Sequence, residues 1–243
     1  MKIEPTQKRI RTQIRGVTIA DSTDVLMVWE IPYFPTYYFP QSDVRMDLMT
    51  DSGETKQSAS RGTANLFDIA VGDHVVPRAA RVWNDAKTDE LTGSVSLVWK
   101  AMDAWFEEDE EVIVHARDPY TRLDILQSSR HISVEVDGVV VAESDHPRIL
   151  FETGLPARYY LPKTDVRFEY LRASDTVTSC PYKGHARYWT IEVNDTSHED
   201  LAWGYDTPLR EAQEIAGFVA FYNEKVDITI DAVRAERPTT QFG

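Results

Sequence analysis

The chain repeats itself at a fixed spacing, and this duplication restricts the possible folds more than any other feature. Residues 16–22 (GVTIADS) match residues 138–144 (GVVVAES), 122 positions further along the chain. Residues 37–40 (YYFP) and 159–162 (YYLP) keep the same spacing. Turn chemistry recurs in unrelated proteins, but one register held across about 50 positions indicates a true internal repeat. We therefore expect two copies of one small domain, with the glycines at 16 and 138 in equivalent turns.

The length of 243 residues accommodates two domains of ordinary size. The matching segments place the first repeat at residues 1–105 and the second at 130–243, with a junction over 106–129. An acidic run at residues 103–111 precedes this junction, and such runs are usually solvated surface.

Short strands dominate the local pattern. In residues 131–136 apolar and polar side chains alternate and an Asp-Gly pair follows, which predicts a half-buried strand ending in a hairpin turn. Residues 188–193 and 226–231 alternate in the same way. Helical spacing occurs only at residues 207–215 and, more weakly, at 98–106. The predicted class is mainly β with minor helix, each copy forming a curled sheet or a partly open barrel.

The chain is acidic, with 40 acidic and 26 basic residues and a net charge of −14. Such a surface repels phosphate backbones and anionic membranes, so neither nucleic acid nor a membrane is expected as a partner. No apolar run approaches the roughly 20 residues that span a bilayer, and residues 1–16 lack the apolar core of a secretory signal. Cys180 is the single cysteine, so no intramolecular disulfide can form. Together these features predict a cytoplasmic protein.

Only the second repeat carries a concentrated set of reactive side chains. Residues 178–186 (TSCPYKGHA) contain a proline and a glycine that predict a tight turn. The thiol of Cys180 and the amine of Lys183 lie on this turn, three residues apart. The corresponding run in the first repeat, residues 56–64 (KQSASRGTA), has serine and arginine at these two positions. We therefore interpret the second repeat as the site-bearing copy and the first as a degenerate copy with a scaffold role.

The thiol and the amine allow three interpretations. An ammonium lowers the pKa of a neighbouring thiol, so Lys183 would make Cys180 a catalytic nucleophile. Alternatively, Lys183 binds a carboxylate or phosphate as a point charge. In the third interpretation Cys180 is buried and inert, and Lys183 pairs with Glu152 or Asp165.

Six further side chains are candidates for ligand binding. Glu152 follows an apolar segment, where a part-buried carboxylate requires a cationic partner. Tyr160, Asp165 and Arg167 recur in the first repeat, so a scaffold role is equally compatible with them. The candidate set is Glu152, Tyr160, Asp165, Arg167, Tyr182 and Tyr205.

Metal and cofactor motifs are missing from the sequence. His185, His198 and Cys180 lack the spacing of zinc ligands and no CxxC pair occurs, so no metal site is predicted. Neither a GxxxxGK[ST] loop nor a GxGxxG segment is present. We therefore expect no cofactor.

The second repeat resembles the family known as domain of unknown function 427. The similarity covers residues 130–233, and in the first repeat residues 16–67. The resemblance implies a small tent-like β fold, akin to zinc-binding tent domains but without the metal-binding cysteines, in the two-copy form typical of actinobacteria. A nucleotidyltransferase-like label is sometimes attached to this family, but the chain has no paired metal-binding aspartates of the kind that such chemistry requires. The matching elements are AES at 142–144, Glu152, Tyr160, Pro162, DV at 165–166, the run 178–184, Ala186, YW at 188–189, Trp203, Tyr205, IAG at 215–217 and FY at 221–222.

Two functional classes follow from these observations. In the first, the second repeat binds, or binds and transforms, a small polar anionic metabolite around the CPYKG turn. In the second, the protein is a structural or interaction protein without catalytic activity. The sequence leaves open whether the protein is an enzyme, and it leaves the oligomeric state open as well. A bound ligand near Lys183 would favour the first class, and a turn sealed by Glu152 or Tyr160 would favour the second.

Overall fold

In the computed structural model, which describes residues 1–240, the chain forms two units, Met1–Asp118 and Pro119–Gly243. Each unit contains one seven-stranded and one four-stranded antiparallel sheet. The predicted class, mainly β with minor helix in two similar copies, is therefore confirmed. Within the described part of the chain, no helix is long and apolar enough to cross a bilayer.

The first unit consists of eleven strands and four short 3₁₀ segments. The strands are β1 (Lys2–Thr6), β2 (Ile10–Ile14), β3 (Val17–Ser22), β4 (Val25–Trp29), β5 (Thr36–Pro40), β6 (Met49–Ser58), β7 (Gly62–Val71), β8 (His74–Ala86), β9 (Ser94–Leu97), β10 (Ala104–Glu107) and β11 (Glu110–Glu111). The 3₁₀ segments are Gln41–Asp43, Met46–Leu48, Asp89–Leu91 and Trp99–Ala101.

The described residues of the second unit repeat this series. The strands are β12 (Leu123–Gln127), β13 (Ile132–Val136), β14 (Val139–Ser144), β15 (Arg148–Glu152), β16 (Arg158–Pro162), β17 (Leu171–Cys180), β18 (Gly184–Val193), β19 (Thr196–Gly204), β20 (Phe218–Phe221), β21 (Asp227–Ile230) and β22 (Val233–Arg234). The 3₁₀ segments are Lys163–Asp165, Phe168–Tyr170 and Arg210–Ile215.

The two units share one strand order. The large sheets run β1-β4-β5-β9-β8-β7-β6 and β12-β15-β16-β20-β19-β18-β17. The small sheets run β11-β10-β2-β3 and, in the same sense, β22-β21-β13-β14. Each strand of one unit thus has a counterpart at the same place in the other, as a tandem duplication predicts.

The small-sheet hairpins form where the sequence predicts them. In β13 alternate residues are buried, and the following Asp137 and Gly138 both adopt positive φ, at 48° and 81°. Arg15 and Gly16 adopt φ of 49° and 75° at the equivalent turn. Two consecutive residues of positive φ match the twist of the flanking strands in a two-residue hairpin. The predicted equivalence of the two glycine turns is confirmed.

The large sheet is buried on both of its faces. In the second unit one face packs on the four-stranded sheet, with Leu161 and Phe221 contacting the cluster that contains Ile132. Because neighbouring residues of a strand face opposite sides, Tyr160 and Ala220 belong to a separate cluster on the other face. The candidate site lies in this second cluster.

The helix predicted for residues 98–106 is wrong. Only Trp99–Ala101 is helical, as a single 3₁₀ turn, and Ala104–Glu107 forms β10, which pairs with β2. Tertiary packing overrides the helical spacing here, because the ring of Trp105 stacks on Trp99 with centroids 4.5 Å apart. The second helical prediction corresponds to the 3₁₀ segment Arg210–Ile215, which Ala212 interrupts at φ −117°.

The segment expected as the junction contains regular structure. Strands β11 and β12 both lie within residues 106–129, and β12 forms the edge of the second unit's large sheet. The two compact units meet between Asp118 and Pro119.

Candidate functional site

The CPYKG turn joins β17 to β18, and backbone contacts fix its shape. Cys180 and Gly184 are paired across the hairpin. Gly184 adopts a φ of 95°, which favours glycine, and a Cβ at this position would make ordinary contact with the backbone nitrogen of Leu209 at 3.4 Å. The same Leu209 nitrogen donates to the carbonyl of Lys183 at 3.1 Å. The segment before the 3₁₀ helix therefore lies directly on the turn.

Lys183 is buried and forms an ion pair with Glu152. Its ammonium donates to Oε2 of the carboxylate, and both side chains are about 10% exposed. Glu152 ends strand β15, which brings the carboxylate to the turn. The structure thus realises the interpretation in which Lys183 is paired with Glu152. The partner is not Asp165.

Four aromatic side chains cover the sheet face next to this pair. The indole Nε1 of Trp203 donates to the hydroxyl of Tyr160 at 3.2 Å. The hydroxyl of Tyr188 lies 2.9 Å from Oγ1 of Thr178 and 3.4 Å from the hydroxyl of Tyr222. Each of these polar tips thus has at least one hydrogen-bond partner within a largely apolar cluster.

Tyr205 is the exception on this face. It is 5% exposed, and its hydroxyl has no hydrogen-bond partner among the described residues. Burial raises the pKa of this phenol well above its ordinary value, and the neighbouring Tyr160, Cys180, Tyr188 and Glu152 raise it further. The phenol is therefore protonated near neutral pH and offers one unused O–H donor.

The equivalent face of the first repeat is closed by internal hydrogen bonds. Arg61 and Glu30 form the counterpart ion pair, and Arg61 also donates to the hydroxyl of Tyr38 at 3.1 Å. Tyr38 donates to Glu30 at 2.7 Å. Trp83 occupies the position that Tyr205 has in the second repeat. Its Nε1 donates to Oγ of Ser96 at 2.9 Å.

Asp165 and Arg167, which were also predicted as ligand residues, contact strand β14 of the small sheet. Oγ of Ser144 donates to Asp165 at 2.6 Å, and the same contact joins Ser22 to Asp43 in the first repeat. Arg167 is exposed, and its backbone nitrogen donates to Val141 in β14 at 2.9 Å. Both residues therefore brace β14, on the small sheet.

Tyr182 and Cys180 remain at the turn. Tyr182 is 6% exposed, and Cys180 is half-buried as a free thiol. Burial raises the pKa of both Tyr160 and Tyr205, and Cys180 adds to this effect. The structure thus pairs Lys183 with Glu152 at the turn and places Tyr160 and Tyr205 in one cluster on the adjoining sheet face.

A second buried ion pair on this face was missed by sequence reasoning. Arg158 binds Glu224 through two hydrogen bonds of 2.6 and 2.7 Å, and the side chains are 8% and 2% exposed. The guanidinium also lies 5.6 Å from the ring centre of Trp203. The first repeat has Thr36 in place of the arginine. This replacement was the only available signal, because 66 residues separate the two charges.

The described residues contain no group of three or more histidine, cysteine, aspartate or glutamate side chains that could hold a metal ion.

The sequence comparisons agree with this duplicated architecture. No curated protein matches the chain. The family described as a domain of unknown function (DUF427) matches twice, at residues 2–108 and 124–232. These two segments coincide with the two repeated β units and cover most of the chain. The protein therefore belongs to the DUF427 family, of which it contains two tandem copies.

Proposed function

We propose that the second repeat binds a small polar molecule on the face around Tyr205, beside the CPYKG turn, and that the first repeat is a scaffold. The observation that carries the proposal is the unused hydroxyl of Tyr205. The ring of Tyr205 is buried, and its hydroxyl makes no hydrogen bond within the described residues, so this O–H is free to donate to a ligand.

The first repeat supplies an internal comparison. At the equivalent position Trp83 has a satisfied indole, because Ser96 accepts its hydrogen bond. The second repeat has Tyr205 in place of the tryptophan and Ala220 in place of the serine. The alanine removes the internal acceptor, and the tyrosine keeps a donor at this position, whereas the surrounding scaffold is kept. This difference supports ligand binding in the second repeat only.

The pairing of Lys183 refines the proposed ligand class. Its charge is neutralised by Glu152, so a free ammonium does not attract an anion at this turn. The proposed ligand instead presents an oxygen acceptor to the Tyr205 hydroxyl, either a carbonyl or the carboxylate of an organic acid. Hydrogen bonds to a carboxylate are the stronger of the two. Binding without reaction is the core of the proposal, with Cys180 contributing to the wall of the site.

The alternative, a structural or interaction protein, is favoured by the pairing of Lys183 with Glu152, which seals the turn as expected for that class. The Lys183–Glu152 pair has the counterpart Arg61–Glu30 in the repeat that lacks the other reactive groups. The pair itself is thus part of the common scaffold. The two proposed functions therefore differ in whether a ligand binds to the hydroxyl of Tyr205.

Native mass spectrometry tests the proposal on protein purified from its own host. We expect a retained small molecule on the unmodified chain, its loss in Tyr205→Phe, and its retention in the first-repeat control Tyr38→Phe. Tyr205→Phe removes one oxygen and keeps the ring, so a loss of ligand reports on the hydroxyl. Retention of the molecule in Tyr205→Phe would contradict the proposal. Absence of any bound molecule, together with no binding from a panel of organic acids and carbonyl compounds, would favour the structural alternative.

A further inference from the structure

The first repeat has an open groove that its sister repeat fills with one of its own side chains. The groove has a volume of about 320 Å³ and lies between β4, β5, β9 and the 3₁₀ segment Asp89–Leu91. Its lining residues include the acidic Asp24 and Glu90, together with Leu26 and Ser94.

Strand pairing defines the equivalent positions in the second repeat. Leu26 pairs with Tyr38, and Arg148 pairs with Tyr160. Ser94 pairs with Pro40, and Phe218 pairs with Pro162 in the same way.

The acidic residue of the groove also has a counterpart. Glu90 lies three residues before Gly93, which donates its N–H to the carbonyl of Trp83. Glu214 lies three residues before Gly217, which donates to the carbonyl of Tyr205. Glu90 and Glu214 are therefore equivalent.

In the second repeat a guanidinium occupies this place. Nη2 of Arg148 lies 3.6 Å from Oε2 of Glu214. The guanidinium carbon lies 5.9 Å from the ring centre of Phe218, within the range of a cation–π contact. Only 23% of the arginine side chain is exposed, so it fills the space that is open in the first repeat.

The first repeat keeps the acid and lacks the cation. Leu26 replaces the arginine, Ser94 replaces the phenylalanine, and the shorter side chain of Ser94 leaves room. Glu90 has no ion pair or hydrogen bond within residues 1–240. Asp24, also exposed, adds a second negative charge to the wall.

We propose that this groove binds a guanidinium group supplied by a ligand, with the carboxylate of Glu90 as its partner and the side chain of Leu26 against its alkyl chain. The second repeat shows the geometry, because there the guanidinium of Arg148 lies against Glu214, the counterpart of Glu90. A guanidinium presents a planar set of N–H donors that matches a carboxylate. Exposed ion pairs are weak, so the expected Kd is on the order of 1 mM. The inference concerns a different repeat from the proposed Tyr205 site and does not depend on it.

Two probes distinguish the sources of the guanidinium. Agmatine represents a free small molecule, and a capped Gly-Arg-Gly peptide represents an arginine side chain of a protein. Binding is followed in the full chain by amide NMR shifts of residues 24–26 and 90–94. Saturable shifts with either probe support the proposal, and the tighter probe identifies the source. Putrescine, which carries ammonium groups instead, is expected to bind more weakly, and equal binding of putrescine would overturn the choice of guanidinium.

Variants that exchange residues between equivalent positions of the two repeats provide a further test. Leu26→Arg supplies the missing cation internally and is expected to weaken probe binding about tenfold or more. Glu90→Gln is expected to weaken it about three- to fivefold, whereas the matched control Glu214→Gln leaves it unchanged. Arg148→Leu is expected to open the equivalent groove and add a second set of shifts. Unchanged binding in Glu90→Gln, or no saturable shifts in the unmodified chain, would overturn the proposal. If Leu26→Arg does not fold, Glu90→Gln still decides the matter.

Discussion

Lys183 and Arg61 neutralise equivalent carboxylates with different cations. Arg61 contacts Glu30 and the hydroxyl of Tyr38, and its guanidinium lies 4.9 Å from the ring centre of Trp83. Among the described residues, the Lys183 ammonium donates a side-chain hydrogen bond to Glu152 alone. Because a lysine ammonium is a compact point charge whereas arginine is a planar fork, the second repeat leaves its neighbouring phenols with fewer internal partners.

Breaking the Lys183–Glu152 ion pair is expected to lower the free energy of unfolding. Lys183→Met leaves Glu152 buried without a cation, so we expect the free energy of unfolding of the second unit to fall by about 3 kcal/mol. Lys183→Arg restores the charge and should stay within about 1 kcal/mol of the unmodified chain. Urea denaturation measures both values. The double variant Lys183→Met with Glu152→Leu is expected to regain most of the loss, and a loss in the double variant equal to that in the single variant would contradict the ion-pair explanation.

The hydroxyl of Tyr205 gives the second prediction. Because it has no hydrogen-bond partner among the described residues, Tyr205→Phe should leave the stability of the ligand-free protein unchanged or raise it by up to about 1 kcal/mol. Tyr160→Phe is the matched comparison, because Tyr160 accepts a hydrogen bond from Trp203. We expect that variant to lose about 1 kcal/mol. Thermal unfolding of both proteins checks the pair, and an equal loss in the two would show that the Tyr205 hydroxyl is satisfied.

At this scale the sequence predicts contacts only where chain position or chemistry limits the choice. The pairing of Lys183 with Glu152 was among the predicted alternatives, because a carboxylate after an apolar segment needs a cation. The pairing of Arg158 with Glu224 was not predicted, because it depends on how β16 and β20 come together. Asp165 braces β14 in the way that its first-repeat counterpart braces β3, so its recurrence in both repeats reflects scaffold.

Among the secondary-structure elements, turn residues were more informative than helical spacing. The Asp-Gly hairpin after β13 requires positive φ at two residues, and aspartate and glycine tolerate this conformation. The spacing of apolar residues at 98–106 fits a helix, yet β10 forms there. Its alternate residues Trp105 and Glu107 are buried, and Glu107 accepts a hydrogen bond from Tyr37 at 2.6 Å. That partner lies 70 residues away in sequence, so local periodicity could not reveal it.

The link between β16 and the segment after β20 predicts a pH dependence. Burial acts to raise the pKa of Glu224, but hydrogen bonds from Arg158 and Thr240 outweigh it and hold the pKa at about 2, below the ordinary 4.5. A lowered pKa contributes stability above the ordinary value that is lost as the pH falls from 4.5 towards 2. The expected contribution is about 3 kcal/mol.

Chemical denaturation at several pH values measures this effect. In Glu224→Gln the stability of the second unit should be lower at pH 7, and the loss between pH 4.5 and 2 should be smaller than in the unmodified chain. Glu169→Gln, at an exposed position, serves as the control and should follow the unmodified profile. Identical acid profiles for Glu224→Gln and the unmodified chain would show that this carboxylate is not stabilised by folding.

For the molecule as a whole, the duplication inferred from the sequence is confirmed, whereas the boundaries of the two copies stay a prediction. The fixed spacing of 122 residues predicts two copies, and both copies have one strand order. The boundaries were expected at residues 105 and 130, where recognisable similarity ends. However, β10 and β12 contribute through backbone pairing, which tolerates changes in side chains. Edge strands therefore belong to the fold although their sequences have diverged.

This difference in boundaries leads to the last prediction. We expect the fragments Met1–Asp118 and Pro119–Gly243 each to fold with a cooperative unfolding transition, because each contains both of its sheets. A fragment of residues 1–105 cuts β10 after its second residue, which removes half of its pairing with β2 and exposes the apolar side of the small sheet. A fragment of residues 130–243 lacks β12, whose five residues pair with the whole of β15, the strand that ends at Glu152. Both shorter fragments should therefore unfold at lower urea concentration than the longer ones, with the transition followed by circular dichroism. Equal midpoints for the 119–243 and 130–243 fragments would mean that β12 adds nothing to the second unit, and a division near residue 130 would then describe the protein better.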